Sequence, residues 1–198
     1  MELLTRNFYN RDTVAVARDL LGKQLIRVLE DGTRLSCRIT ETEAYVGRMD
    51  KACHAYGYKR TPRTETLFAP PGTAYIYLIY GMYHCLNFVT EPEGEPCAVL
   101  VRGGEAVANE DIIAKKRFGC NHCQLSASQR KNFLNGPGKL CRGLDLTRAQ
   151  NGLDLTDPGS GLYVCTGPAP RAMGIGKRIG IDYAQEAVDF PWRFWEEE

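Results

Sequence analysis

The chain has 198 residues, 43% of them hydrophobic and 25% charged, with a formal net charge of +1 at neutral pH. That length and mix suit one globular domain with a sizeable core and exclude a disordered or fibrous chain. A balance this even excludes global charge as a guide to partners, so an anionic ligand has to be met by local patches.

The opening MELLTRNFYNRDTVAVARDLL has no apolar core followed by a small-residue cleavage site, and no apolar run approaches the ~20 residues of a bilayer span. The expected location is the cytoplasm. Asp12 or Thr13 caps a helix over TVAVARDLL that stops at Gly22. QLIRVL and LSCRITETEAYV, separated by EDGT, read as a β-hairpin. Residues 46–72 carry prolines and glycines without a clear period and form a long loop, of the kind that is functional in compact domains.

TAYIYLIYGMYHCLN follows, a second hairpin turning at Tyr80-Gly81, with Tyr75, Tyr77, Tyr80 and Tyr83 close together. A purely structural strand favours Val, Ile and Phe, because a buried phenol needs a partner for its hydroxyl. CAVLVRG reads as a strand buried on both faces. Asn109 caps a helix through Lys116, a second helix around SASQRKNFL ends near Asn135-Gly136, and a third starts at Pro137. GLYVCT and KRIGID read as closing strands. Hairpin-joined strands with helices grouped in the middle, and no linker, indicate one α+β domain over residues 1–198. Cys37, Cys85, Cys97 and Cys165 lie in apolar strand-like runs, so the eight cysteines read as reduced, with these four buried.

Strand alternation in RITETEAYV puts Ile39, Glu41, Glu43 and Tyr45 on one face. Two carboxylates there either face water from an edge strand or are held, paired, for a purpose. His54 sits close enough in sequence to fold back onto that strand; His84 reads as structural. Lys51, Lys59, Arg60 and Arg63 interleave with Tyr56 and Tyr58, as a phosphate backbone with exposed bases requires. Arg171, Lys177 and Arg178 repeat the pattern among glycines. NGPGKLC offers a helix start with Lys139 to a phosphate. Cys120-Asn121-His122-Cys123 has no second ligand pair, so no metal is expected.

TETEAYVG, the following His54, TPR, GTAYIYLIYGMYHCLN and NGPGKLC together resemble the alkyladenine (3-methyladenine) DNA glycosylase family of the aromatic-hairpin type. The resemblance runs from the first helix to RIGI. It implies a curved, mostly antiparallel sheet flanked by helices, with a protruding hairpin. It also implies a monofunctional, cofactor-free hydrolase of base excision repair, acting as a monomer on double-stranded DNA that contains damaged purines. Because the chain begins almost at its first helix, a bacterial-type member, nucleoid-associated and not membrane-bound, is expected.

Residue by residue, the resemblance makes Glu43 the general base and Arg102 its neighbour at the catalytic water. Tyr45, His54, Tyr77 and Asn87 become the pocket for the flipped base, and Tyr80 the wedge left in the duplex. Thr61, Arg63 and Lys139 become contacts to the DNA backbone. The lesions implied are 3-methyladenine, 7-methylguanine, hypoxanthine and ethenoadenine. Two other readings stand beside this one: an RNA-binding module, since the fold is similar to the C-terminal domain of methionyl-tRNA formyltransferase, and a glycoside hydrolase using Glu41 and Glu43 as its pair.

Overall fold

The structure, a computed structural model, describes residues 1–197. Eight antiparallel strands form one curled sheet: β1 (Gln24–Val28), β2 (Arg34–Val46), β3 (Ala74–Ile79), β4 (Tyr83–Thr90), β5 (Cys97–Ala108), β6 (Leu162–Cys165), β7 (Met173–Gly176) and β8 (Arg193–Glu196). The main order is β3-β4-β5-β2-β1-β6, and β8 pairs with both β2 and β7. Five short helices pack around it: α1 (Arg6–Tyr9), α2 (Thr13–Asp19), α3 (Glu110–Phe118), α4 (Ala127–Lys131) and α5 (Pro137–Gly143). Together they make one compact α+β domain.

Helix α2 starts where its cap is: the Asp12 carboxylate accepts from the Ala15 N–H at 2.8 Å. Its buried side, continued by Leu20 and Leu21, lies in the main core. The Thr42 hydroxyl donates to the Ala17 carbonyl at 2.7 Å and ties the helix to β2.

The long strand β2 decides the geometry of the site. Ile39 pairs with Gly104, Glu41 with Gly103 and Thr42 with Val101, so Thr40 on one strand and Arg102 on the other drop out of the ladder. These irregularities reverse the alternation. Leu35, Cys37 and Ile39 face the main core before them, and Ala44 faces it after them. Ile39 therefore does not share a face with Glu41, Glu43 and Tyr45, as plain alternation had it. Nor is β2 an edge: it lies between β5 and β1, with β8 beside it. Its glutamates do not look out to water.

In the tyrosine hairpin alternation holds. Ala74, Ile76, Leu86 and Phe88 enter the main core, and Tyr75, Tyr77, Cys85 and Asn87 turn to the opposite side. Tyr80 and Gly81 close it with φ of 53° and 69°. Two left-handed residues in succession match the right-handed twist of the flanking strands.

Three expectations change. KRIGID is not a strand: β7 lies earlier, at Met173–Gly176, and residues 177–182 form an irregular segment. Asn109 does precede α3, but its side chain donates to the Arg34 carbonyl at 2.8 Å instead of capping, and its φ is 58°. Helix α4 is shorter than SASQRKNFL: it ends at Lys131, and the side chain of Asn132 donates back to the Ser128 carbonyl at 2.9 Å.

All eight cysteines are free, with Cys37, Cys53, Cys85, Cys97, Cys141 and Cys165 buried. No helix among the described residues is long and apolar enough to cross a membrane.

The segment after β7 departs from a strand because of Arg178. Its side chain and that of Asp50 are both 0% exposed and paired, with Nη2 2.8 Å from Oδ1. Arg178 also donates to the carbonyls of Ala44 at 2.8 Å and Ala187 at 3.2 Å. Asp50 accepts from the backbone N–H of Ala52 at 2.9 Å and Val46 at 3.3 Å. Arg178 is thus an internal clamp and not part of an anion-binding surface, and Lys177 pairs with Asp189. Removing one member of a buried ion pair strands the other charge. Asp50→Ala is expected to lower stability by about 3–5 kcal/mol, measured as the urea midpoint at constant m-value; a loss within 1 kcal/mol counts against the clamp.

Candidate active site

A cavity of about 660 Å³ opens on the face of the tyrosine hairpin turned away from the main core. The tyrosine hairpin supplies Tyr75, Tyr77, Ile79, Tyr80, Tyr83, Cys85 and Asn87, and β5 supplies Ala98, Leu100 and Arg102. Tyr45, the loop around His54, the start of α5 and residues 179–183 complete it. Burying this many rings costs stability unless each polar tip is met.

The tips of Tyr45 and Tyr75 are met by a neighbouring side chain. The Tyr45 hydroxyl donates to Glu43 Oε2 at 2.7 Å. The Tyr75 hydroxyl lies 3.1 Å from His54 Nδ1. The His54 ring presents its edge to Tyr77, with centroids 4.6 Å apart and planes at 78°. Burial pushes the phenols of Tyr45 and Tyr77 far above their ordinary range and that of Tyr75 up to about 12, so all three remain hydroxyls.

Glu43 lies one layer behind the cavity wall and is 0% exposed. Three groups that line the cavity hold it: the Tyr45 hydroxyl, the Ile179 N–H at 2.8 Å from Oε1, and Arg102 Nε at 3.3 Å from Oε1. Desolvation raises its pKa, and the Arg102 charge and the hydrogen bonds from Tyr45 and Ile179 oppose the rise only in part. A carboxylate with a raised pKa, held behind an aromatic cavity, has the chemistry a proton acceptor needs.

Arg102 is shared. Its Nε is also 3.0 Å from Glu41 Oε1, which accepts from Arg193 Nη1 at 3.1 Å as well. With Glu41 tied to two guanidinium groups, it is a poor partner for Glu43 in an acid–base pair. Arg193 comes from β8 and Ile179 from the segment after β7, two positions that no sequence motif had marked. For Ile179 the one available signal was the RIGI run.

His54 is driven down to about 4, first by burial and then by the nearby charge of Arg63, and is therefore neutral at pH 7. Arg63 Nη2 lies 3.4 Å from His54 Nε2, and its guanidinium carbon sits 5.3 Å from the centroid of the Tyr77 ring. An arginine can only donate, so Nε2 accepts and the proton resides on Nδ1.

Asn87 is buried opposite Tyr75, and its amide nitrogen donates to the carbonyls of Tyr75 at 3.1 Å and Cys85 at 3.3 Å. Tyr80 stands at the hairpin tip, 82% exposed, beside the exposed Met82 and Tyr83. Thr61 opens a turn with Thr64, its N–H donating to the Thr64 hydroxyl at 2.8 Å. Lys139 follows Pro137 in the first turn of α5 and donates to Asn132 Oδ1 at 2.7 Å. Arg117 and Arg142 line the same cavity and were not marked by sequence.

Among the other basic residues, Lys51 pairs with Glu186 and Arg60 with Glu65, which leaves Lys59 and Arg63 without an acidic partner among the described residues. In CNHC, His122 pairs with Glu110 at 3.1 Å and starts a short 3₁₀ turn capped by Asn121 and Gln124. Among the described residues no group of three or more His, Cys, Asp and Glu side chains is arranged to hold a metal ion.

Comparison with known proteins gives the family. The family model described as "Methylpurine-DNA glycosylase (MPG)" matches residues 7–198. A protein of Desulfitobacterium hafniense (strain Y51) is 49% identical, the match covering 100% of this chain and 97% of that protein. One from Clostridium perfringens (strain SM101 / Type A) is 49% identical over 97% of this chain and 94% of its own length. One from Methanocella arvoryzae is 49% identical over 99% and 93% respectively. All three carry the name "Putative 3-methyladenine DNA glycosylase". The chain belongs to the methylpurine-DNA glycosylase family: it is a DNA glycosylase of DNA repair, a hydrolase that cleaves N-glycosyl bonds.

Because its folded pKa lies below the ordinary 6.5, His54 costs stability on acidification. Between pH 6.5 and about 4 the unfolded chain binds a proton at His54 that the folded protein refuses, so the His54 contribution falls as pH is lowered. NMR titration is expected to find the His54 ring changing charge near 4, and His54→Gln to flatten the stability–pH curve over that window. A midpoint at 6 or above counts against a buried, neutral ring.

Proposed function

We propose that this glycosylase removes alkylated and deaminated purines from duplex DNA, with Glu43 activating the hydrolytic water and the aromatic cavity receiving the extruded base. The observation that carries the reading is the fully buried Glu43, held by Tyr45, Arg102 and Ile179 at the back of a tyrosine-lined cavity.

Chemistry on a purine requires that the nucleotide leave the stack, at a cost of a few kcal/mol. Base–aromatic stacking recovers roughly 1–3 kcal/mol per base. Tyr80 enters the space the base vacates, from a hairpin tip that projects from the sheet. Tyr45, Tyr77 and His54 receive the base. A buried Asn87 beside Tyr75 narrows the pocket against a purine bearing an exocyclic amine at the guanine position. Thr61, Arg63 and Lys139, with Arg117 and Arg142, lie where the flanking backbone passes.

The attacking water is taken up beside Arg102 and Ile179, both of which line the cavity and contact Glu43 Oε1. Its proton passes to the Glu43 carboxylate while its oxygen bonds to C1′. The C1′–N bond breaks with its electron pair on the base. No covalent intermediate with a lysine is invoked: Lys139, the one lysine lining the cavity, is tied to Asn132. The product is an abasic site that the enzyme itself leaves uncut. In this reading the enzyme acts as a monomer and needs no cofactor.

Two variants test this. Glu43→Gln is expected to abolish single-turnover base release from oligonucleotides carrying each lesion, read as alkali-labile abasic sites, while duplex binding survives; unchanged release removes Glu43 from the chemistry. Tyr80→Ala is expected to weaken binding to lesion-containing duplex by about 1–3 kcal/mol, measured by fluorescence anisotropy, and equal affinity removes the wedge.

A further inference from the structure

We infer that Glu41 is a positioning residue for the hydrolysis: held by Arg193, it takes a share of the Arg102 guanidinium and so leaves Glu43 basic enough to accept the proton of the attacking water. The inference rests on the proposed function and deepens it, adding two residues that touch neither the water nor the base.

Glu43 has three donors around it, and a carboxylate supplied with a guanidinium and two hydrogen bonds is ordinarily a weak base. Here the guanidinium is divided. Arg102 Nε lies 3.3 Å from Glu43 Oε1 and 3.0 Å from Glu41 Oε1. Arg193 Nη1 reaches the same Glu41 oxygen at 3.1 Å, so that one oxygen sits between two cations. Of the three, only Arg102 lines the cavity that takes the base; Glu41 and Arg193 line a separate groove.

The neighbouring strands hold this arrangement in place. In the ladder between β2 and β8, Arg193 stands opposite Glu43, and Trp195 opposite Glu41. The Arg193 side chain nevertheless passes Glu43 by. Its Nε donates to the Lys177 carbonyl at 2.9 Å, and its guanidinium carbon lies 4.4 Å from the centroid of the Trp195 ring. Trp195 in turn fills space that a glycine leaves open, since a Cβ at Gly174 of β7 would meet the ring at 2.1 Å. Fixed at Nε and on one face, the guanidinium presents Nη1 to Glu41.

The other groups near Glu43 bring no free charge. Arg178 is taken by Asp50, and burial pushes the hydroxyls of Tyr45 and Tyr77 and the thiol of Cys85 up, so they stay neutral. The balance rests on Arg102, Glu41 and Arg193. Arg102 lowers the pKa of Glu43, and Glu41, a like charge, raises it. Neutralising Glu41 hands Arg102 wholly to Glu43 and makes Glu43 a weaker base. Removing Arg193 takes away a nearby positive charge and lets Glu41 draw Arg102 further, which makes Glu43 a stronger base. The alternative is that Glu41 and Arg193 only tie β8 to β2, in which case their loss changes stability and leaves the titration of Glu43 where it is.

The experiment is single-turnover release of 7-methylguanine from duplex DNA at saturating enzyme, followed across the acid and neutral pH range. A base with a fixed positive charge departs neutral without being protonated, so the acid limb of the profile reports Glu43. For Glu41→Gln the limb is expected to move down on the order of 1 pH unit, the effect of one charge removed a few ångströms away in a shielded site. For Arg193→Met it is expected to move up by about half as much, with Arg193→Lys, which keeps the charge, close to wild type. If Glu41→Gln does not fold, the sign of the Arg193→Met displacement decides. A limb that stays in place, or moves the other way, in either folded variant overturns the inference. Wild-type enzyme that releases no base, or releases it without an acid limb, overturns instead the function on which it rests.

Discussion

The site depends on a buried ion pair that does not itself line the cavity. Arg178 and Asp50 bind each other under the Tyr45 ring, with the guanidinium carbon 4.7 Å from that ring and 5.2 Å from Trp192. Asp50 belongs to the loop after β2 and Arg178 to the segment after β7. Their pairing draws the two together and leaves Ile179, the next residue, with its N–H on Glu43. Taking two charges out of water is expensive, and replacing such a pair with apolar groups often leaves stability unchanged or higher. Its value here is positional. A guanidinium has a fixed fork of donors, and this one reaches Asp50, Ala44 and Ala187 at once, so the loop has one place to sit.

The second constraint is the pair of ladder irregularities in β2 and β5. Without them, alternation carries Ile39 and Glu43 to the same side, and either the core receives a carboxylate or the pocket receives an isoleucine. Dropping Thr40 and Arg102 from the ladder lets the first part of β2 feed the core with Leu35, Cys37 and Ile39. The second part turns Glu43 and Tyr45 to the pocket side. Arg102 is the extra residue on the partner strand, and it emerges beside both glutamates. Irregularities next to active sites commonly re-aim side chains in this way.

The same economy governs polarity. The tyrosines could have been phenylalanines if stacking were their only task, but two of the inner phenols also organise a neighbour. Tyr45 holds Glu43, and Tyr75 meets His54, which is neutral and tied on its other nitrogen to Arg63. Glu43 is strained electrostatically, with desolvation outweighing its three partners. A carboxylate held at a cost to folding is what stability–activity trade-offs look like at the level of one side chain.

Much of this was legible in the order of residues. The Asp12 cap, the two hairpins, the Tyr80-Gly81 turn and the Pro137 helix start rest on local chemistry, which operates within a few residues. The pocket side chains of the tyrosine hairpin follow from unbroken alternation, and the motifs TETEAY and YIYLIYGMYHCLN carry the family. The chain's order alone could not reveal that alternation fails at Thr40, because a ladder irregularity is set by the partner strand some sixty residues away. Nor could it show that Arg178 faces inward, since its partner Asp50 is 128 positions distant and only the folded chain brings them together. Whether a charge meets water, a phosphate or a buried carboxylate is a question of who its neighbours are. The sequence determined which residues were available and where the chain would turn; the tertiary structure decided which charges were cancelled and which side chains face the cavity.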